Sequence, residues 1–224
     1  MSGPELLEIT ALSLRVAATA TLASLAPGVA LGYWLARRDF PGRTALQAAV
    51  ALPMVLPPVA VGLALLLLLA RRGPLGPLWA ALDLELVFTW WAAALAAALV
   101  GFPLLVRASE QAFAEVAVQY EQVARTLGLG PARTFFRVTL PLARRGVLYG
   151  ALLAFTRALG EFGATAVVAG IVPGRTETLA LGIWSRVQLG DDAGALALCG
   201  ASFAIALLAM LVAEGWLGRR RGRG

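Results

Sequence analysis

Charged residues vanish from long stretches of this chain. Val16–Ala36, Leu86–Val106 and Ala193–Ala213 are each 21 residues without an acid or an Arg, and Thr44–Ala70 is 27. A fifth apolar window, Gly146–Gly174, runs 29 residues and holds only two charges, Arg157 and Glu161. A helix rises about 1.5 Å per residue, so about 20 residues cross an apolar layer of about 30 Å. Helices of a soluble core keep a polar face and rarely lose charge for so long. The pattern predicts an all-α integral membrane protein of about five transmembrane helices. These fall at residues 12–36, 45–70, 86–107, 146–172 and 193–216, within one transmembrane domain over 1–224.

The pattern changes between the third and fourth windows. Arg107–Arg145 is 39 residues, the longest polar interval. Within it Phe113, Val116, Ala117, Tyr120, Val123, Ala124 and Leu127 recur at spacings of three and four, predicting an amphipathic helix from Glu110 to Leu127. Gly128-Leu129-Gly130-Pro131 stops it. A short second helix over Ala132–Val138 follows, and Pro141 opens the fourth span. Two short helices at a membrane surface either dock a partner or lie on the lipid.

Composition sharpens this reading. The chain is 59% hydrophobic and 14% charged, with mean hydropathy +0.78, against about 45–50% and about 25% in soluble domains. All nineteen basic residues are Arg and there is no His, which excludes His-based catalysis, His metal sites and the lysine of a phosphate-binding loop. The lone Cys199 cannot form an intrachain disulfide and reads as a packing residue. No nucleophile–base pair is visible, so the chain is not expected to be an enzyme or to bind a metal or cofactor itself.

The +6 net charge is unevenly placed. Segments 37–43, 107–145 and 214–224 hold 13 Arg and 5 acids, while 1–15, 71–85 and 175–192 hold 5 Arg and 7 acids. Arg excess marks the cytoplasmic side, so the N-terminus is expected outside and the C-terminus inside. Arg219, Arg220, Arg221 and Arg223 then anchor topology near anionic lipid, and nucleic acid is not expected as a partner. Trp34, Trp79, Trp90, Trp91, Trp184 and Trp216 all sit near span ends, as an interfacial belt requires. The acidic Glu5 and Glu8 before the first window argue for a retained span rather than a cleaved leader.

Several residues inside the spans carry candidate chemistry. Pro53, Pro57 and Pro58 lie in the second and Pro103 in the third. Each removes a backbone donor, which marks either a tolerated kink or a helix facing protein or a pathway. Gly146 and Gly150, like Ala197 and Ala201, are spaced for close helix approach. Arg157 and Glu161 share a helical face in the fourth span. A charge at that depth costs several kcal/mol and faces a cavity or a partner. The pair either lines or gates a path through the membrane, together with Pro57, Pro58 and Thr165, or is a neutralised pair that fixes packing.

The polar interval also carries a pattern. Tyr120-Glu-Gln-Val-Ala-Arg-Thr-Leu-Gly128, nine residues, then Val138-Thr-Leu-Pro141 resembles the loop motif of ABC-importer permeases: Glu-Ala-Ala, three residues, Gly, nine residues, Ile-x-Leu-Pro. Aligned on the glycine, Ala124, Gly128, Leu140 and Pro141 match and Val138 replaces Ile. Gln122 stands where the family has Glu, Val123 stands at the first Ala, and Glu121 lies one place earlier. Leu52-Pro-Met-Val-Leu-Pro-Pro-Val-Ala-Val-Gly62, Thr156-Arg-Ala-Leu-Gly-Glu-Phe-Gly-Ala-Thr165 and Gly174-Arg-Thr-Glu-Thr-Leu-Ala-Leu-Gly-Ile-Trp184 are similar to motifs of the molybdate and sulfate branch. The compact length is most like the bacterial molybdate permeases.

The resemblance implies a multi-pass permease of the bacterial inner (cytoplasmic) membrane that moves an oxyanion inward by alternating access. Molybdate is favoured, with sulfate, thiosulfate or tungstate as alternatives. It implies a cytoplasmic coupling helix within 108–145, between spans three and four, formed by Glu121, Gln122, Ala124, Arg125, Thr126, Leu127 and Gly128 with Val138, Leu140 and Pro141. It further implies a homodimer in the lipid bilayer, two cytoplasmic ATPase subunits holding ATP and Mg, and a periplasmic or extracellular substrate-binding protein. An ATP-independent secondary transporter fits less well, because Glu161 is the one acid inside the five apolar windows.

Overall fold

A computed structural model describes residues 2–218; the side chain of Trp216 and the basic tail Arg219, Arg220, Arg221 and Arg223 lie outside what it describes. Among the described residues every regular element is helical: α1 Gly3–Arg37, α2 Arg43–Val55, α3 Pro58–Leu69, α4 Gly76–Ala81, α5 Trp90–Ala114, α6 Val118–Thr126, α7 Pro131–Thr134, a π-turn Phe135–Thr139, α8 Leu140–Leu159, α9 Gly163–Val168, α10 Leu179–Gln188 and α11 Asp192–Gly218. Four stretches are long and apolar enough to span a membrane, and a fifth forms if α2 and α3 count as one broken span.

Local signals set the ends. Ser2 caps α1 in a capping box with Glu5, so the first helix starts at Gly3, well before residue 12. Thr89 accepts from the Ala92 amide to cap α5. The centre of the bundle is α5, whose face is nearly all alanine: Ala92, Ala93, Ala96 and Ala97 are buried. Small residues let α1 and α8 approach it. Gly146 meets Ala112 and Gly150 meets Ala108, with no space for an added Cβ. Leu7, Leu196 and Phe203 expose most of their surface, as lipid-facing side chains do.

The helices depart from the sequence expectation in four further places. The second span is two helices bent by 104° at Leu56–Pro57, rather than one kinked rod. A residue before proline is driven out of the helical region, and Leu56 and Pro57 have ψ 147° and 129°. The fourth span begins at Leu140 and ends at Leu159, with α9 beyond a break at residues 160–162. The helix expected from Glu110 to Leu127 is divided: α5 continues to Ala114, and α6 starts afresh at Val118. Likewise the short helix expected over Ala132–Val138 is α7 running through a π-turn directly into α8.

Candidate functional site

α6 lies at one end of the bundle, and its side-chain hydrogen bonds to other elements come from Glu121. Glu121 is buried, and its Oε1 accepts from Arg37 Nε at 2.9 Å and from Thr139 Oγ1 at 3.0 Å. Arg37 Nη2 also donates to the Val116 carbonyl at 2.9 Å. Arg125 lies 3.7 Å from Oε2. One carboxylate thereby ties α6 to the last turn of α1 and to the π-turn that leads into α8. Behind it Tyr33 packs edge-on against Phe113 and Phe135. A second carboxylate strengthens the same end: Glu110 of α5 accepts from Gln47 Nε2 at 2.6 Å and Arg43 Nη2 at 3.2 Å.

The two faces of α6 differ sharply. Glu121 and Ala124 point inward and are buried. Tyr120, Val123 and Leu127 point outward, with Leu127 77% exposed. Gln122, Arg125 and Thr126 share this open side, so the residue aligned with the family's Glu faces out and its neighbour Glu121 is the one turned in. The helix closes on Gly128 at φ +82°, where the Gly128 amide donates to the Arg125 carbonyl and the Leu129 amide to the Ala124 carbonyl. That is the paired-bond left-handed cap that glycine favours. Val138 and Leu140 are half-buried and Pro141 is exposed. The sequence reading missed Arg37 and Thr139; the only signal was an unpaired acid in a segment facing an Arg-rich one.

Inside the bundle, the two helix breaks face each other. Pro58 at the start of α3 packs against Gly163 at the start of α9, and Gly62 packs against the Ala164 backbone. Glu161 lies in the second break, buried, with Oε1 accepting the Ala164 amide at 2.8 Å and Oε2 held by Arg157 Nη1 at 2.8 Å. Its charge caps the start of α9. Arg157 keeps 33% of its side chain exposed. Thr165 is buried and its hydroxyl donates to the carbonyls of Glu161 and Phe162, back into the break that precedes α9. Pro57 and Pro58 are exposed on the chain's surface.

At the opposite end from α6, Arg186 of α10 gathers three carboxylates: Glu5, Asp191 at 3.7 Å and Glu177 at 3.9 Å. Glu177 is buried, which raises its pKa above the ordinary 4.5; Arg186 opposes the rise, and Glu5 and Glu8 add to it. Among the described residues no three His, Cys, Asp or Glu converge as metal ligands.

Comparison with known proteins places the chain. Residues 28–223 match the family described as "Binding-protein-dependent transport system inner membrane component". The molybdenum transport system permease protein ModB of Escherichia coli (strain K12) is 44% identical over 210 residues, 93% of this chain and 91% of the relative. The sulfate transport system permease protein CysT of Salmonella typhimurium (strain LT2) is 34% identical over 223 residues, 100% of this chain and 80% of the relative. A chain from an inward-facing crystal form of the MetNI methionine ABC transporter superposes with TM-score 0.74 over 98% of this chain and 99% of its own, at 16% identity, and so shares the fold.

Proposed function

This chain belongs to the binding-protein-dependent transport system inner membrane components, and from that premise we propose that it is the permease subunit of an ATP-driven importer whose cargo is molybdate. The substrate follows from the molybdenum permease relative, which matches it nearly end to end. Sulfate is the second reading, supported by the sulfate permease relative. Two copies form the membrane path. Two ATPase subunits supply ATP and Mg on the Arg-rich side, and a binding protein delivers the anion on the other. The N-terminus then lies outside and α6 faces the cytoplasm.

One observation carries the coupling role. α6 presents Tyr120, Val123 and Leu127 outward, while Glu121 fastens it to α1 and to the π-turn below α8. An apolar face on a helix so anchored fits a groove in a partner, and movement of that partner is passed to two spans at once. Gln122, Arg125, Thr126, Gly128, Val138, Leu140 and Pro141 complete this joint. Pro57, Pro58, Arg157, Glu161 and Thr165 form the helix-break layer of the path.

The test is uptake of labelled molybdate in cells that lack their own importer and express this chain with its ATPase and binding protein. Molybdate uptake that excess sulfate leaves intact is expected; sulfate-dominated uptake moves the chain to the sulfate reading. Gly128→Val places a β-branched residue at positive φ, at a cost of about 1–3 kcal/mol in backbone strain, and is expected to abolish uptake. Uptake that persists without the ATPase, or in Gly128→Val, overturns the coupled-importer reading.

A further inference from the structure

The α5–α8 pair carries a groove that none of the residues discussed above explains. One cavity of about 590 Å³ is lined by Leu104, Arg107 and Gln111 on α5 and by Arg145, Tyr149 and Leu153 on α8. A second, of about 470 Å³, shares Glu115 and Arg145 with it and reaches Tyr120 of α6. The close contacts at Gly146–Ala112 and Gly150–Ala108 bring the two walls together. The groove thus runs along α8 toward the α6 end, with a guanidinium on each wall.

Both guanidiniums have donors to spare. No carboxylate oxygen among the described residues lies within 4.0 Å of Arg145, and the nearest to Arg107 is Glu110 Oε2 at 4.0 Å, a carboxylate already shared by Arg43 and Gln47. The far end of the groove, at Leu153, lies one helical turn before Arg157. At 3.6 residues per turn, Tyr149, Leu153 and Arg157 fall within about 80° of one another on α8, and Arg145 widens that face to about 120°. This α8 face therefore carries Arg145 near its start and Arg157 near its end, and a polar groove suits it better than lipid.

We propose that this groove is the α6-side half of the oxyanion path, with Arg107 and Arg145 as the groups that draw a tetrahedral dianion from the helix-break layer toward release. The inference rests on the oxyanion-importer reading. Planar guanidinium forks match an oxyanion's paired oxygens, and a cleft of net positive charge, two guanidiniums against Glu115, concentrates an anion by about 10-fold or more. Glu115, at the α6 end of both cavities, repels the anion once it has passed the guanidiniums, and such weakening is what conduction requires.

The test uses the whole importer in proteoliposomes of zwitterionic lipid, with molybdate uptake and ATP hydrolysis measured together. In Arg107→Gln/Arg145→Gln the anion imported per ATP hydrolysed is expected to fall at least about ten-fold, and Arg107→Lys/Arg145→Lys to retain most of it. An unchanged ratio overturns the proposal, whether uptake and hydrolysis both persist or both fall. Each single Gln variant is measured alongside, so that a double variant that fails to fold leaves the ratio readable. A guanidinium pair near the membrane surface also suits a lipid phosphate. A defect seen only after anionic phosphatidylglycerol is added assigns the pair to lipid and overturns the proposal. A wild-type importer that moves no oxyanion sinks the functional reading itself, whereas wild-type import with an unimpaired Gln pair sinks only this one.

Discussion

Glu121 and Glu161 are both buried carboxylates with an arginine partner, yet they do different work. The Glu121 partner is Arg37, 84 residues away on another helix, and Thr139 joins from a third element. Glu161 looks no further than its own neighbourhood: Arg157 four residues before it and the Ala164 amide three after. The first joins elements far apart along the chain. The second stabilises a break within one stretch of chain. Exposure differs too, since Arg37 shows 12% of its side chain and Arg157 33%. Losing its partner strands Arg37 in protein, whereas Arg157 still reaches polar surroundings.

The largest expected effect follows from that difference. Glu121→Ala leaves a buried guanidinium unpaired and is expected to cost about 3–5 kcal/mol, with uptake lost because α6 is no longer fastened to α1. A double-mutant cycle of Arg37→Ala with Glu121→Ala, read by thermal unfolding of the purified complex, is expected to show a coupling near about 3 kcal/mol. The same cycle on Arg157 and Glu161 is expected to give about 1 kcal/mol or less, as for a partly exposed pair. Equal coupling at both sites breaks the comparison.

Glu161→Gln tests the smaller side. The amide oxygen still accepts the Ala164 N–H, so only the ion pair is lost, at about 1 kcal/mol. If the pair only holds the break together, uptake stays within a few-fold of wild type in a normally folded complex. A folded Glu161→Gln importer with no uptake assigns the pair to the gate.

The same contrast explains what was legible in the sequence. The spans were readable because membrane burial removes charge from every face at once, and the helix stop at Gly128 was readable because a left-handed cap has a residue signature. The Arg157–Glu161 pair was visible because its partners are local. Arg37–Glu121 was not, since a spacing pattern says nothing about which distant helix end lies opposite. Periodicity also ran unbroken through residues 110–127 although the chain turns after Ala114. Phe113 and Val116 are buried in the bundle, while Tyr120, Val123 and Leu127 in the same series are exposed on α6. An apolar stripe reports a face that will be covered, by the protein's own core or by another molecule, and the pattern alone does not separate the two.

Glu177 is a third buried carboxylate and the least well paired, and it carries the smallest expected effect. Its arginine is 3.9 Å away and shared with Glu5 and Asp191, and no hydrogen-bond donor reaches its Oε1. Burial, followed by repulsion from Glu5 and Glu8, outweighs Arg186 and holds its pKa above 4.5. The folded chain therefore binds more protons here than the unfolded chain does, so this group's contribution to stability declines as pH rises from the unfolded pKa through the folded one. In Glu177→Gln that part of the slope is expected to vanish, and the variant is expected to melt above wild type at the alkaline end. Melting temperatures of both complexes between about pH 5 and about pH 8 decide it. Parallel curves mean that Glu177 is held as firmly as Glu121, and that a long, shared ion pair satisfies a buried carboxylate as well as a short one does.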